Sequence, residues 1–439
     1  MSRAALFFAA CLAACSSGQF EDLRDTAWAD AIDLPDGVES EDYPVAIASL
    51  TTDRPGTHFV ALAANPPAVA TISYTVSGDQ TAAGVELAEV PPSIASTIEA
   101  TVAGPTAPVA GASAAIAIGG LGPRGALLVY DARTGDDGPE LRRIVEGSTC
   151  GANLTDLGRY MVWTRTDLGD PDAPDLVASA DGALVVFIDL EADTVVSRCV
   201  RCEIDPITAM TAGDFDPASP GDEIAIGVAD PAGVAAGHVD LFHASLVETH
   251  DTANTRCFTT SSAFATIPAE RADDLDFGSS LATGNSNNVD LPELAIGAPG
   301  SREVLVLTDM STSGPTGAPQ QLVVGGSSTT FGAAIAFADL DGDGADELVV
   351  GDPGATVEEE TRAGNVFLFG PETMTGRVTY APVGELRDAH PERDAQRGVP
   401  LAITRHVGTL GSTDIVLVGA THELLVYFRS LVTGSDPRE

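Results

Sequence analysis

The 439-residue chain contains no lysine: all 22 of its basic residues are arginine, set against 64 aspartates and glutamates. That absence excludes a Schiff-base lysine and a phosphate-loop lysine. The formal charge of −42 leaves no basic face for nucleic acid or for anionic lipid headgroups, so neither is an expected partner. Aromatics are scarce at 5%, and no apolar run reaches the roughly 20 residues that a membrane-spanning helix needs. No Gly-x-Ser-x-Gly elbow, His-Glu-x-x-His pair or phosphate loop occurs. The seven histidines are scattered, and His238 and His243, five apart on an expected strand, face opposite sides. What is abundant is glycine (45) and proline (28), which suits an all-β chain rich in turns.

The N-terminus, MSRAALFFAACLAACSSGQ, has one arginine and then a short apolar run, the pattern of an export signal. Leu12-Ala13-Ala14-Cys15 resembles the lipobox of bacterial lipoproteins, which implies lipidation at Cys15 and display at the outer membrane or cell surface. A plain secretory signal is the alternative. The expected organisation is a signal segment at 1–15, an acidic tether at 16–42, a repetitive domain at 43–430 and a polar tail at 431–439. Cys150, Cys199, Cys202 and Cys257 form an even set in an exported chain and are disulfide candidates, with three possible pairings. A four-thiolate zinc site using Cys199-Val-Arg-Cys202 is the competing reading.

Self-similarity organises the rest. FGAAIAFADLDGDGADELVVGDPG from Phe331 aligns without a gap to FGSSLATGNSNNVDLPELAIGAPG from Phe277. Looser apolar copies start at 59, 114, 175, 223 and 414, a spacing of about sixty residues when the strong copies are taken at Glu293 and Glu347. A unit this small cannot bury both faces of its own sheet, and radial stacking solves that problem. In Asn365-Val-Phe-Leu-Phe-Gly370, Val366 and Leu368 point one way and Phe367 and Phe369 the other. Both faces are apolar, as they must be in a blade sandwiched between neighbours.

Phe-Gly, then Asp-x-Asp-x-Asp-Gly, then Gly-x-Pro resembles the FG-GAP repeat of the integrin α-subunit propeller and related bacterial proteins. The unit at Phe331 carries the whole pattern, the unit at Phe277 all but its loop, and the other five only the strands. The resemblance implies an all-β, seven-bladed β-propeller of the integrin α N-terminal type.

Between Asp339 and Glu347 five carboxylates fall in nine residues. Alternating side chains on a tight loop can converge on a hard cation such as Ca²⁺, which takes six to eight oxygens. The EF-hand alternative fails because its twelfth position, which must be glutamate, is Val350. The expected ligands of the FG-GAP-type loop are Asp339, Asp341, Asp343, the carbonyl of Ala345 and Glu347, with Asp346 facing solvent. An unoccupied turn built by aspartates is the alternative. Weaker loops offer Asp167 with Asp175, and Asp214 with Asp216. These observations favour a non-enzymatic, monomeric surface scaffold that binds a protein or glycan at its rim. A calcium-dependent propeller hydrolase or lyase and a polymerising surface-layer protein are the alternatives.

Overall fold

The computed structural model describes residues 27–32, 43–50, 57–64, 67–77, 80–89, 102–103, 115–120, 126–131, 140–146, 155–165, 175–180, 183–188, 196–201, 206–230, 235–243, 263–408 and 411–429. Positions 217, 220, 272, 273, 275, 287–290, 309, 312, 318, 325, 326, 375, 376, 387–390 and 422 within those spans are excepted. Among the described residues every regular element apart from the 3₁₀ turn Pro299–Ser301 is a strand. The strands form seven four-stranded sheets whose pairings are all antiparallel, the all-β propeller architecture.

Numbered along the chain, the first sheet spans 46–89, the second 102–146, the third 161–201, the fourth 207–268, the fifth 280–322, the sixth 334–386 and the seventh 401–429. The first strands touch one another in sequence order, and that of the seventh returns to that of the first, so the inner strands form a closed ring. Six of these strands have four or more residues, whereas that of the second sheet is only Val102–Ala103.

The seventh sheet takes its outermost strand from the other end of the chain. Ala27–Ile32 pairs antiparallel with Glu423–Arg429, Ile32 opposite Leu424. This corrects the tether expected at 16–42: six of its residues belong to the propeller. Sharing one sheet between the two ends closes the ring without leaving Glu423–Arg429 as a bare edge.

The seven apolar stretches that align in the sequence each fall on the second strand of a sheet. Those strands lie between two neighbouring sheets, and Asp175–Ala180, Glu223–Val228, Glu293–Ala298 and Glu347–Asp352 are buried at every position. The alternation in the sixth sheet's third strand, Asn365–Met374, sorts its side chains as expected. Phe367 and Phe369 pack with Val304 and Val306 of the fifth sheet. Val366 and Leu368 pack with Val416 and Val418 of the seventh. Each large buried side chain contributes about 1.5–3 kcal/mol on leaving water, and the ring repeats such layers between successive sheets.

Each Phe-Gly pair serves the contact with the preceding sheet. Phe331 is fully buried, edge-on to Phe367 and Phe369 at centroid distances of 5.6 and 6.3 Å. Gly332, at φ 88°, donates its N–H to the Gly351 carbonyl at 3.0 Å. Its own carbonyl lies against Gly297, the glycine of Gly-x-Pro in the fifth sheet, so closely that a Cβ on Gly297 would come within 2.3 Å of it. The same glycine-to-glycine approach pairs Gly119 with Gly158, Gly227 with Gly278, and Gly351 with Gly398. Gly297→Ala therefore forces two sheets apart, and we expect it to destabilise the fold by roughly 1–3 kcal/mol, read as a lower midpoint in urea unfolding. An unchanged midpoint would mean that the contact does not set the sheet spacing.

Candidate metal centre

The acidic loop joins the sixth sheet's first strand, Ala334–Ala338, to its second, Glu347–Asp352. Short aspartate side chains bend it by capturing N–H groups two or three residues ahead. Gly342 donates to Asp339 Oδ1 at 2.8 Å, Asp343 to Asp341 Oδ1 at 3.0 Å, and Ala345 to Asp343 Oδ1 at 2.8 Å. Gly342 and Gly344 take φ values of 77° and 89°, which a side chain would oppose. Glu347 closes the loop from inside: it is 1% exposed, and its Oε2 accepts the Leu340 N–H at 2.8 Å.

One carboxylate oxygen from each of Asp339, Asp341 and Glu347 lies within 4.8 Å of the others. Two ligands of one Ca²⁺ at 2.6 Å can be at most about 5.2 Å apart, so the three fit a single hard cation. Asp343, an exposed residue, stands outside this group. Burial drives the Glu347 pKa up from 4.5 to about 8; the Leu340 N–H opposes the rise, and the charges of Asp341, Asp343 and Asp339 add to it. A carboxyl so placed holds a proton that a cation would displace.

The same glutamate recurs in two neighbouring sheets with a different companion. In the fifth sheet, Glu293 Oε2 accepts the Ser286 N–H at 2.8 Å, and Oε1 accepts the Ser286 hydroxyl at 2.5 Å. In the fourth, Glu223 Oε2 accepts the Asp216 N–H at 2.8 Å, and Oε1 lies 3.1 Å from His243 Nδ1. Arg165 adds a guanidinium 3.9 Å from Asp214. Where protein groups face the glutamate or the aspartates of its loop, the sequence has lost the full Asp-x-Asp-x-Asp pattern. Asp214 thus has the Arg165 guanidinium beside it, and Asp216 gives its N–H to Glu223. Asp175 is buried at the start of the third sheet's second strand, and Asp167 lies outside the described residues. Cys15, Cys150, Cys202 and Cys257 are also outside them; Cys199 falls on the strand Val196–Arg201.

Asp346 does not face solvent as the sequence suggested. Its Oδ2 accepts the Asn285 N–H at 2.6 Å, and its own N–H donates to the Asn285 carbonyl at 2.8 Å, across to the fifth sheet. Asp414 of the seventh sheet treats Asp339 in the same way, with both bonds at 3.0 Å. Asp222 repeats the clasp on Arg165, with both backbone bonds at 2.9 Å. The acidic loop is thereby fastened at its first residue to one neighbouring sheet and near its last to the other. These clasps were invisible in the sequence because each joins residues 57 to 75 positions apart.

Residues 331–369 match the FG-GAP repeat family model. No curated protein sequence matches the chain. Solved structures of similar shape are many, 235 chains, so likeness of shape speaks to the fold and not to a role. One is a crystal structure titled BBS1N in complex with ARL6DN, soaked with mercury. It is 13% identical, has a TM-score of 0.50, and aligns over 93% of this chain and 98% of its own. The chain thus carries an FG-GAP repeat on a β-propeller.

Two outcomes follow from this geometry. Asp346→Ala leaves the Asn285 N–H without its carboxylate and is expected to cost about 1–3 kcal/mol in urea unfolding. For Glu347, a pKa raised in the folded state means that folding favours the protonated form. Stability of the metal-free protein from this group is full below pH 4.5 and declines as pH climbs through about 8. Glu347→Gln should flatten that decline in thermal unfolding scans between pH 5 and 8; an unaltered slope would assign it to other groups.

Proposed function

We propose that this protein is a non-enzymatic binding scaffold: a seven-bladed FG-GAP propeller, stiffened by Ca²⁺ in the Asp339–Glu347 loop, that presents its rim to a protein or glycan. The observation that carries this reading is the convergence of Asp339, Asp341 and buried Glu347 oxygens within 4.8 Å, in a loop clasped to the sheets on both sides. Ca²⁺ would face the buried glutamate where the fourth and fifth sheets place His243 and Ser286. Its role is architectural, because a loop that directs its carboxylates at its own backbone and one ion holds neighbouring blades in register. The cyclic contact of seven inner strands supports the blade count.

Residues on this chain that would hold the ion are Asp339, Asp341 and Glu347, with Asp343 and the Ala345 carbonyl drawn in as the loop tightens. We further propose export with a lipid anchor at Cys15, which rests on the lipobox resemblance; the described residues include no helix long and apolar enough to cross a membrane. A surface anchored in this way, carrying −42 charges, stays soluble and repels other polyanions.

Calcium titration of the full chain tests the reading. Millimolar Ca²⁺ is expected to raise the unfolding temperature by linkage, since the unfolded chain has no preformed site. Binding at pH 7 should release close to one proton, seen as a dependence of the calorimetric heat on the buffer's ionisation enthalpy. Asp341→Ala should abolish the proton release and reduce the rise in unfolding temperature. A wild-type chain whose unfolding temperature ignores Ca²⁺ would overturn the proposal.

A further inference from the structure

The rim opposite the acidic loop is built by the connections into the first strands and the turns from second to third strands. In the sixth sheet this corner is saturated. Asp352 is fully buried, its Oδ2 accepts the Ser328 N–H at 2.8 Å, and its Oδ1 accepts the hydroxyls of Thr330, at 2.8 Å, and Ser328.

The gapless alignment of the two strong repeats puts Ala298, Asp274 and Asp276 of the fifth sheet where the sixth has Asp352, Ser328 and Thr330. One carboxylate held by two hydroxyls has become two carboxylates. Asp274 is 3% exposed, and its Oδ1 is buried with no hydrogen-bond partner among the described residues. The Ser301 hydroxyl and the Asp276 backbone do bond the Asp274 carboxylate, so it is the remaining oxygen that is left over. Burial raises the Asp274 pKa, and the charge of Asp276 adds to the rise; Ser301 and Arg271 oppose it. Glu303, also buried, and Glu270 add further negative charge to the corner.

The orphaned oxygen is aimed at a definite place. A Cβ on Gly300 would stand 3.3 Å from Asp274 Oδ1 and 3.2 Å from Asp276 Oδ2, so both oxygens converge beside the residue that has no side chain. Gly300 and Asp276 are exposed, which gives that place access to water.

We propose that Asp274 and Asp276 form a second cation site on this rim, taking a hard divalent ion, Mg²⁺ or Ca²⁺, through Asp274 Oδ1 and Asp276 Oδ2. Water completes the shell, as it does where one or two carboxylates hold Mg²⁺. Both ligands immediately precede Phe277-Gly278, the pair that packs against the fourth sheet, so the ion would neutralise charge at a sheet-to-sheet contact. The site is independent of the calcium loop.

The test uses the full chain carrying Asp341→Ala, which silences the acidic loop. Isothermal titration with Mg²⁺ and, separately, Ca²⁺ is expected to show one ion bound, with a dissociation constant of order 0.1–1 mM, as in extracellular modules. Adding Asp276→Asn, at an exposed position, should weaken binding at least tenfold while circular dichroism stays unchanged. Gly300→Ala, which keeps both charges but crowds their meeting point, should weaken it as well. The proposal is overturned if the Asp341→Ala chain takes up neither ion at roughly 10 mM, or if Asp276→Asn leaves its affinity unaltered. Comparing wild type with Asp341→Ala reports on the loop alone, so failure of either site is read separately.

Discussion

The close approach of glycine to glycine between adjacent sheets is the constraint on which the rest of this molecule depends. Gly297 and Gly332 leave no room for a Cβ, and three further pairs repeat the contact. Backbones that touch at one rim fix the distance at which the sheets above them must be filled. Phe331 can then sit edge-on to Phe367 and Phe369, and the second strands must be apolar at almost every position because both their faces are covered. Glycine 45 times in a chain of this length is thus partly a packing requirement, beyond the needs of turns.

The opposite rim is joined by different chemistry. There the aspartates 222, 346 and 414 each make a two-way backbone clasp with the preceding sheet, and buried glutamates hold the loops from within. The clasp needs an N–H at the aspartate's position, and Pro292, its counterpart in the fifth sheet, has none. At that boundary the fourth and fifth sheets meet instead through the Thr283 hydroxyl, which donates to the Ala212 carbonyl at 2.9 Å. A carboxylate clasp is directional and titratable, whereas a glycine contact is neither. One rim is therefore joined through carboxylates, while the other sets the spacing through backbone contact.

What the sequence made legible follows from which features are local. The second strands announced themselves because burial on both faces turns them into continuous apolar runs, and the Asp339 loop because its ligands lie within nine residues. Asp339, Asp341 and Glu347 do converge, while Asp343, bonded to Ala345 in a turn of its own, does not join them. The closing strand Ala27–Ile32 gave no such signal: its partner is Glu423–Arg429, almost the whole chain away, and nothing in a six-residue stretch of mixed polarity names that partner. Asp346 was misread for the same reason. An aspartate beside a turn looks solvated until the chain returns to the neighbouring sheet and supplies Asn285.

The three glutamates 223, 293 and 347 show how one scaffold position can be kept while its counter-group changes. Each accepts a backbone N–H seven residues earlier, at 2.8 Å, so the carboxylate itself belongs to the fold. What varies is the group facing its other oxygen: an imidazole in one sheet, a hydroxyl in the next, and aspartates in the third. The last choice sets several negative charges beside a group already disfavoured by burial, and these add to the rise of its pKa. A loop built from the protein's own donors would be insensitive to its surroundings. With the proposed Ca²⁺ bound, the Asp339 loop would instead tie the register of three adjacent sheets to the cations around it.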